Sequence, residues 1–401
     1  MSVFSPCSIL LPKNDPKTWA VIACDQFTSE PAYWEGVARR CEGKPSAYHI
    51  IMPEAYLSGA SMEFEAQRRA EIMWSYLDGD VFCEYPASFV YVERRVTGGL
   101  LRRGIVGALD LEAYDYHPDA TAPVRASERT VIDRLPPRER IRQSAPLESP
   151  HVLLLINDEH TPLFSCLATT PTKGQKLYDF DLAEDGGHIS ARRVTAEDSA
   201  RIESMVQKLS SADGVNLVVG DGNHSLAAAK NVWEKIKPTL PLSDRETHPA
   251  RFALVELCSV YDEGIVFEPI HRIVFHGDPK AILASFTALP QGEDGYRVIW
   301  QSGKEKGTLS LVAPSFGALI QTVQDTLDRW EKQGCTIDYI HDDAALCALA
   351  QKDGAFALFL PAMPKKDLFL TVSRDGVFPK KSFSIGNARD KRYYLECRKI
   401  K

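Results

Sequence analysis

The residues with the densest chemical capacity in this 401-residue chain are Gly220-Asp221-Gly222-Asn223-His224-Ser225. Two glycines let the backbone approach a ligand closely, and a helix opening from about Asn223 turns its free first-turn amides into an anion site. A phosphate fits such a turn. Asp221, at the end of the apolar run Val215 to Val219, could serve as a base or metal ligand, while Asn223, His224 and Ser225 are compact hydrogen-bonding groups packed together. The same residue types also make an ordinary capped turn without function. A G-x-G-x-x-G reading puts Ser225 in the last glycine position and lacks an acidic residue ending a following strand, so a dinucleotide fold is rejected.

A second segment, 125 to 142, carries six arginines (125, 129, 134, 138, 140, 142) against three acids (128, 133, 139), a local balance of +3. Guanidinium groups grip phosphate or carboxylate in a bidentate fork, whereas a lysine offers a point charge. Arg134, between apolar Ile132 and Leu135, is the ligand candidate here; the alternative for most of these arginines is a self-paired, solvated face. Glu128 and Asp133 lie within the basic stretch, where neighbouring cations keep carboxylates ionised, able to take a proton from a hydroxyl or to hold Mg2+. A third feature is His271-Arg272, following a strand and the acidic pair Asp262-Glu263.

Absences narrow the classes. There is no G-x-x-x-x-G-K-[ST] loop, H-E-x-x-H, kinase signature set or G-x-S-x-G elbow. Net charge is -7, which disfavours a protein that holds nucleic acid by neutralising phosphates. Nine scattered cysteines without a Cys-x-x-Cys pair indicate reduced thiols rather than a disulfide framework or zinc site. Neither a signal peptide nor an apolar run of the roughly 20 residues that span a bilayer is expected, so the chain reads as cytoplasmic.

These features need elements to hold them. Apolar β-rich runs alternate with amphipathic stretches, which predicts a mixed α/β fold. Strands are expected at Trp19 to Ala23, Ser88 to Glu93, Ile105 to Leu111, Val152 to Ile156, Val215 to Val219 and Arg251 to Cys258. Helices are expected at Glu30 to Cys41, Ser61 to Leu77, Ala196 to Leu209 and Leu226 to Ile236. Beyond about 276 the pattern restarts, with strands at Tyr296 to Trp300, Thr308 to Val312 and Phe356 to Leu360, and helices at Phe316 to Lys332 and near Asp343 to Gln351. The expected organisation is a core over 1–275 carrying the Asp-Gly-Asn-His turn, and a smaller C-terminal α/β domain over 276–401 whose tail packs back on the core.

Taken together, these segments resemble the family catalogued as domain of unknown function 1015, whose members carry a Glu-x-Thr with a downstream Asp-Arg, then an Asp-Gly-His-His-Arg-like turn, then a His-Arg. Here these match Glu128, Thr130, Asp133 and Arg134; Asp221, Gly222 and His224; and His271 and Arg272. Phe4-Ser5-Pro6-Cys7, Cys24-Asp25-Gln26-Phe27, Lys381 to Gly386 and Asp390 to Tyr394 look like a branch of it. The turn also resembles that of the ParB and sulfiredoxin superfamily, which includes free serine kinases. Asn223 and Ser225 stand where His and Arg are usual, so a phosphate contact is lost that the 125–142 arginines must replace. The resemblance implies a ParB/sulfiredoxin-like core and phosphoryl transfer on a small hydroxylated metabolite, with serine or O-phosphoserine favoured and ATP/ADP and Mg2+ as cofactors. In that scheme Asp221 and Glu128 act as base or magnesium ligand, and Asp133 binds metal. Gly220, Gly222, Asn223, Ser225, Thr130, Arg134 and Arg272 hold substrate or phosphate, while His224 and His271 orient or protonate. Two alternatives stay open: a ParB-like nucleotide-dependent binding or regulatory module, and a small-molecule phosphatase.

Overall fold

The computed structural model describes residues 2–57, 61–159, 163–164, 174–210, 215 and 217–401. The chain is mixed α/β and divides into two compact units, one of Met1–Ala126, Thr130–Ile265 and Gly386–Lys401, the other of Ser127–Arg129 and Val266–Ile385. The division at Ile265/Val266 thus falls ten residues before the sequence-based one at 275/276, and the last sixteen residues belong to the first unit.

The first unit is built on a ten-stranded sheet. Its strands are β1 (Phe4–Ser5), β2 (Val90–Arg95), β3 (Leu101–Asp110), β4 (Tyr114–Asp115), β5 (Val124–Ala126), β6 (Leu153–Ile156), β7 (Lys176–Asp181), β8 (His188–Arg193), β9 (Leu217–Asp221) and β10 (Phe252–Ser259). They run in the order β7-β8-β2-β3-β10-β6-β9-β5-β4, with β1 pairing β3. Parallel pairs (β6 with β10, β9 with β5) sit beside antiparallel ones (β6 with β9). The central strands β6 and β9 are runs of Leu, Ile and Val with both faces covered, as buried strands require. Its longer helices are α1 (Pro31–Cys41), α2 (Met62–Asp78), α3 (Leu135–Ser144), α4 (Ala196–Ser210) and α5 (Asn223–Ile236). The second unit has a five-stranded sheet of β11 (His271–Phe275), β12 (Gln291–Ser302), β13 (Glu305–Leu311), β14 (Thr336–Ile340) and β15 (Phe356–Phe359), in the order β13-β12-β15-β11-β14. Its helices are α6 (Pro279–Thr287), α7 (Phe316–Glu331), α8 (Asp343–Leu349) and α9 (Lys365–Arg374).

Several expected elements shift. The run Val215 to Val219 begins its strand at Leu217 and extends it to Asp221, with Asn216 outside the described residues. Trp19 ends a short helix, Pro16–Trp19, before the two-residue strand Val21–Ile22 that pairs Tyr393–Tyr394. The basic segment forms β5, a 3-10 turn at Ile132–Arg134 and then α3, whose opening turn takes Pro136 and Pro137 where a missing N–H costs nothing. The β7–β8 hairpin and helices α6 and α9 come without a matching expectation.

The C-terminal sixteen residues are deeply built in. Tyr393, Tyr394, Leu395, Cys397 and Ile400 join a buried apolar cluster with Trp19, Trp34, Val90 and Leu254. Arg392 ion-pairs Glu256 at 2.7 Å and Glu396 at 2.5 Å, and Arg398 pairs Glu148 at 2.6 Å. Among the described residues, no helix is long and apolar enough to cross a membrane, and every cysteine is a free thiol; Cys166 lies outside them.

Candidate functional site

Strand β9 delivers Asp221 as its last residue, and a single residue, Gly222, turns the chain into α5. Gly222 has φ 80°, and a Cβ there would stand 3.0 Å from the Cα and 3.1 Å from the Cγ2 of Val152, so both conformation and space call for glycine. Helix α5 is held down by Leu226, Ala229, Val232 and Trp233, all buried, which fixes where its N-terminus points. The amides of its first turn have no intrahelical acceptor and carry the positive end of the helix dipole.

Both oxygens of Asp221 are engaged. Oδ1 accepts the Gly222 N–H at 2.8 Å, and Oδ2 lies 3.0 Å from Nζ of Lys391, which is buried. A second carboxylate, Asp25, accepts from the Gln26 side chain at 3.0 Å and stands 3.9 Å from Nε2 of His151. Burial pushes the Asp25 carboxyl up, but His151, the Gln26 hydrogen bond and Lys391 together outweigh it and hold the group below the usual carboxylate range. His151 is anchored in turn by the Tyr394 hydroxyl, 2.7 Å from Nδ1.

His224 faces the arginine segment. Its Nε2 accepts the backbone N–H of Val131 at 3.1 Å, which places the ring proton of the neutral imidazole on Nδ1. Burial, with the Arg138 and Arg134 charges, lowers its pKa to about 4. At neutral pH only about one ring in a thousand is protonated, so His224 is a hydrogen-bond donor through Nδ1 and not a proton reservoir. Beside Val131, the buried Thr130 hydroxyl has no hydrogen-bond partner, an unsatisfied donor of the kind a bound oxyanion completes. Arg134 is exposed, and Arg138 is ion-paired with Glu54 while donating to the Arg134 carbonyl at 2.7 Å.

Of the residues expected at the site, Thr130, Asp133, Arg134 and the turn Gly220 to Ser225 therefore belong to the first unit. Glu128, His271 and Arg272 belong to the second. There Glu128 Oε1 accepts the Ser382 N–H at 3.1 Å, and His271 donates from Nε2 to Asp343 at 2.6 Å while its Nδ1 accepts the Leu360 N–H at 3.0 Å. Arg272 is completely buried, giving its guanidinium to the carbonyls of Ile270 and Lys381 and lying 4.6 Å over the Tyr339 ring; burial lowers its pKa to about 10. It braces the unit. Asp25, His151 and Lys391 were not singled out from the sequence as site residues, although Asp25 and Lys391 lie in the quoted segments.

Phosphate fits the first-unit constellation: first-turn amides, the Thr130 hydroxyl, Lys391 and Arg134 are the donors such an anion takes. Among the described residues no group of three His, Cys, Asp or Glu could hold a metal ion, and Asp133 is an exposed residue of the 3-10 turn.

Among solved structures, the chain is similar to C-terminally truncated SbnI from Staphylococcus aureus (10% identity, TM-score 0.38, 70% of this chain and 82% of that one). It is also similar to a conserved hypothetical protein from Pyrococcus furiosus (12%, 0.34, 72% and 90%) and to a free serine kinase in complex with AMP (11%, 0.39, 73% and 91%). At such identities function must be argued from this chain's own residues. No curated protein matches it. Residues 6–338 match the family described as protein of unknown function (DUF1015), to which this chain belongs.

Proposed function

We propose that the protein is a phosphotransferase acting on a small hydroxylated metabolite, with serine or O-phosphoserine and ATP/ADP as the favoured pair. The observation that carries this is the Gly222-opened N-terminus of α5, set between the Lys391–Asp221 pair and the Arg134/Arg138 side of His224. In this reading the first-turn amides of Asn223, His224 and Ser225, with Lys391, Arg134 and Thr130, hold the transferring phosphoryl group. The Nδ1–H of His224 orients it. The acceptor hydroxyl oxygen forms the new P–O bond as the bond to the leaving oxygen breaks, and the hydroxyl proton passes to one of the two carboxylates flanking Lys391, Asp25 or Asp221. A nucleotide would supply the phosphoryl group. Glu128, His271 and Arg272 organise the second unit. The net charge of -7 favours a small-molecule partner over nucleic acid, and free thiols accord with a cytoplasmic setting.

The test is turnover and heat-stability gain with serine plus ATP, and with O-phosphoserine plus ADP, on wild type and Asp221→Ala. The expectation is protection and turnover in wild type and a loss of both in the variant. No turnover and no protection from any of these compounds would end the proposal.

A further inference from the structure

Under α3 and the first two turns of α5, the first unit holds a cavity of about 160 Å³. Cores are packed like organic crystals and rarely leave voids much larger than a water. This one opens to the surface and is walled in its depth by Ile51, Met52, Met73, Ile141, Leu226 and Ala229, and a largely apolar cavity of roughly this size accepts a ring the size of benzene. Ala228 and Ala229, where α5 could carry larger side chains, leave it open.

The cavity wall is electrically neutral by internal pairing. Arg138 is ion-paired with Glu54, and Arg142 with Glu148 at 2.6 Å, so a charged ligand group would find its counter-charges already taken. A few polar groups remain at its edge, Ser225 and His151 among them, the usual make-up of a small-molecule site. Ser225 is the connection: it belongs to the first turn of α5, the turn of the phosphate reading, and it also lines the cavity.

We propose that this cavity binds the uncharged, ring-sized portion of a ligand whose anionic end sits at the N-terminus of α5. This rests on the phosphate reading of that turn and deepens it: of the phosphates the turn could take, the cavity selects those with an apolar body. The bare zwitterion of serine does not fill it.

Calorimetric affinities of wild type for inorganic phosphate, O-phosphoserine, phenyl phosphate and adenosine monophosphate test this, alongside Ala229→Leu and Ala228→Val, which narrow the cavity by different amounts. Phenyl phosphate is expected to bind at least tenfold tighter than inorganic phosphate, and Ala229→Leu to collapse that ratio. If adenosine monophosphate shares the advantage, the ring is a nucleotide's base; if only phenyl phosphate does, it belongs to the acceptor. Equal affinities for phenyl and inorganic phosphate, or a ratio unchanged by either substitution, would overturn the proposal. Indole, a neutral probe, separates the two readings. Protection by indole that Ala229→Leu abolishes, with no response to any phosphate, keeps the cavity and removes the phosphate site; phosphate binding without any ring preference does the reverse.

Discussion

Replacing His224 by glutamine and following unfolding from pH 4 to 7 tests the electrostatic logic of the site directly. In the folded protein the imidazole is held near pKa 4 by burial and by Arg138 and Arg134, with Asp25 opposing, against an ordinary value of 6.5. Between those limits the unfolded chain binds more protons than the native one, so stability falls as pH falls. The neutral-ring contribution is fully present above 6.5 and is lost progressively down to about 4. Each pH unit in that interval corresponds to 1.36 kcal/mol, an upper bound of about 3.4 kcal/mol. The ring is half-buried, and screening reduces this to roughly 2 kcal/mol. Glutamine can still accept the Val131 N–H through its carbonyl oxygen but does not titrate. Urea midpoints of wild type and His224→Gln should therefore run parallel above pH 6.5 and converge or cross below it, by about 2 kcal/mol at pH 4. Nitrogen NMR of labelled histidine should show His224 neutral and protonated on Nδ1 at pH 6. A ring titrating near 6.5, or a wild-type-minus-variant difference flat from pH 4 to 7, would refute the reasoning.

Three further perturbations have definite outcomes. Gly222→Ala forces a side chain into φ 80° and against the Val152 backbone, and should cost roughly 2 kcal/mol by chemical denaturation while weakening phosphate binding at α5. Arg392→Met leaves Glu256 and Glu396 buried without their nearest cation and should cost about 3–5 kcal/mol, measured the same way. In the second unit Thr371 is buried with its hydroxyl unbonded, so the isosteric Thr371→Val should leave the denaturation midpoint unchanged or raise it by up to about 1 kcal/mol.

The turn was legible because its signals are local. A continuous apolar run ended by Gly-Asp-Gly and followed by a 3.6-residue stripe specifies strand, turn and helix without help from elsewhere, and the periodic stretch at α7 is equally plain. What surrounds the turn was not legible. Asp25, His151 and Lys391 come from three distant parts of the chain, and a single charged residue in a loop has no period to read. Arg272 is read from the sequence as a ligand grip beside His271, and the pattern did not show that β11 is buried along most of its length. There its two terminal nitrogens go to the Ile270 and Lys381 carbonyls, while Nε has no hydrogen-bond partner. The β7–β8 hairpin escaped because its inward positions, such as Tyr178, Ile189 and Ala191, alternate over only a few residues each. The cavity had no sequence signature, since a void is a property of packing.

The C-terminal segment has two separable roles, which neighbouring residues divide. Arg392, Glu396, Arg398 and the carboxylates that meet them form buried ion pairs. Such pairs add little net stability over apolar packing but are costly to break singly. Their effect here is to fix the register of residues 391 to 398 against the sheet, and that register brings Lys391 to Asp221 and Tyr394 to His151. Arg392 should therefore govern whether the segment stays in place, and Lys391 what it does there. Lys391→Met should keep the fold, losing about 1 kcal/mol as Asp221 is left with its backbone bond alone, and should abolish the heat-stability gain from phosphate. Lys391→Arg should retain part of that gain, because the charge returns with a different reach. Should Lys391→Met instead destabilise as severely as Arg392→Met while phosphate still protects it, Lys391 is one more member of the clasp and the anion rests on α5 alone.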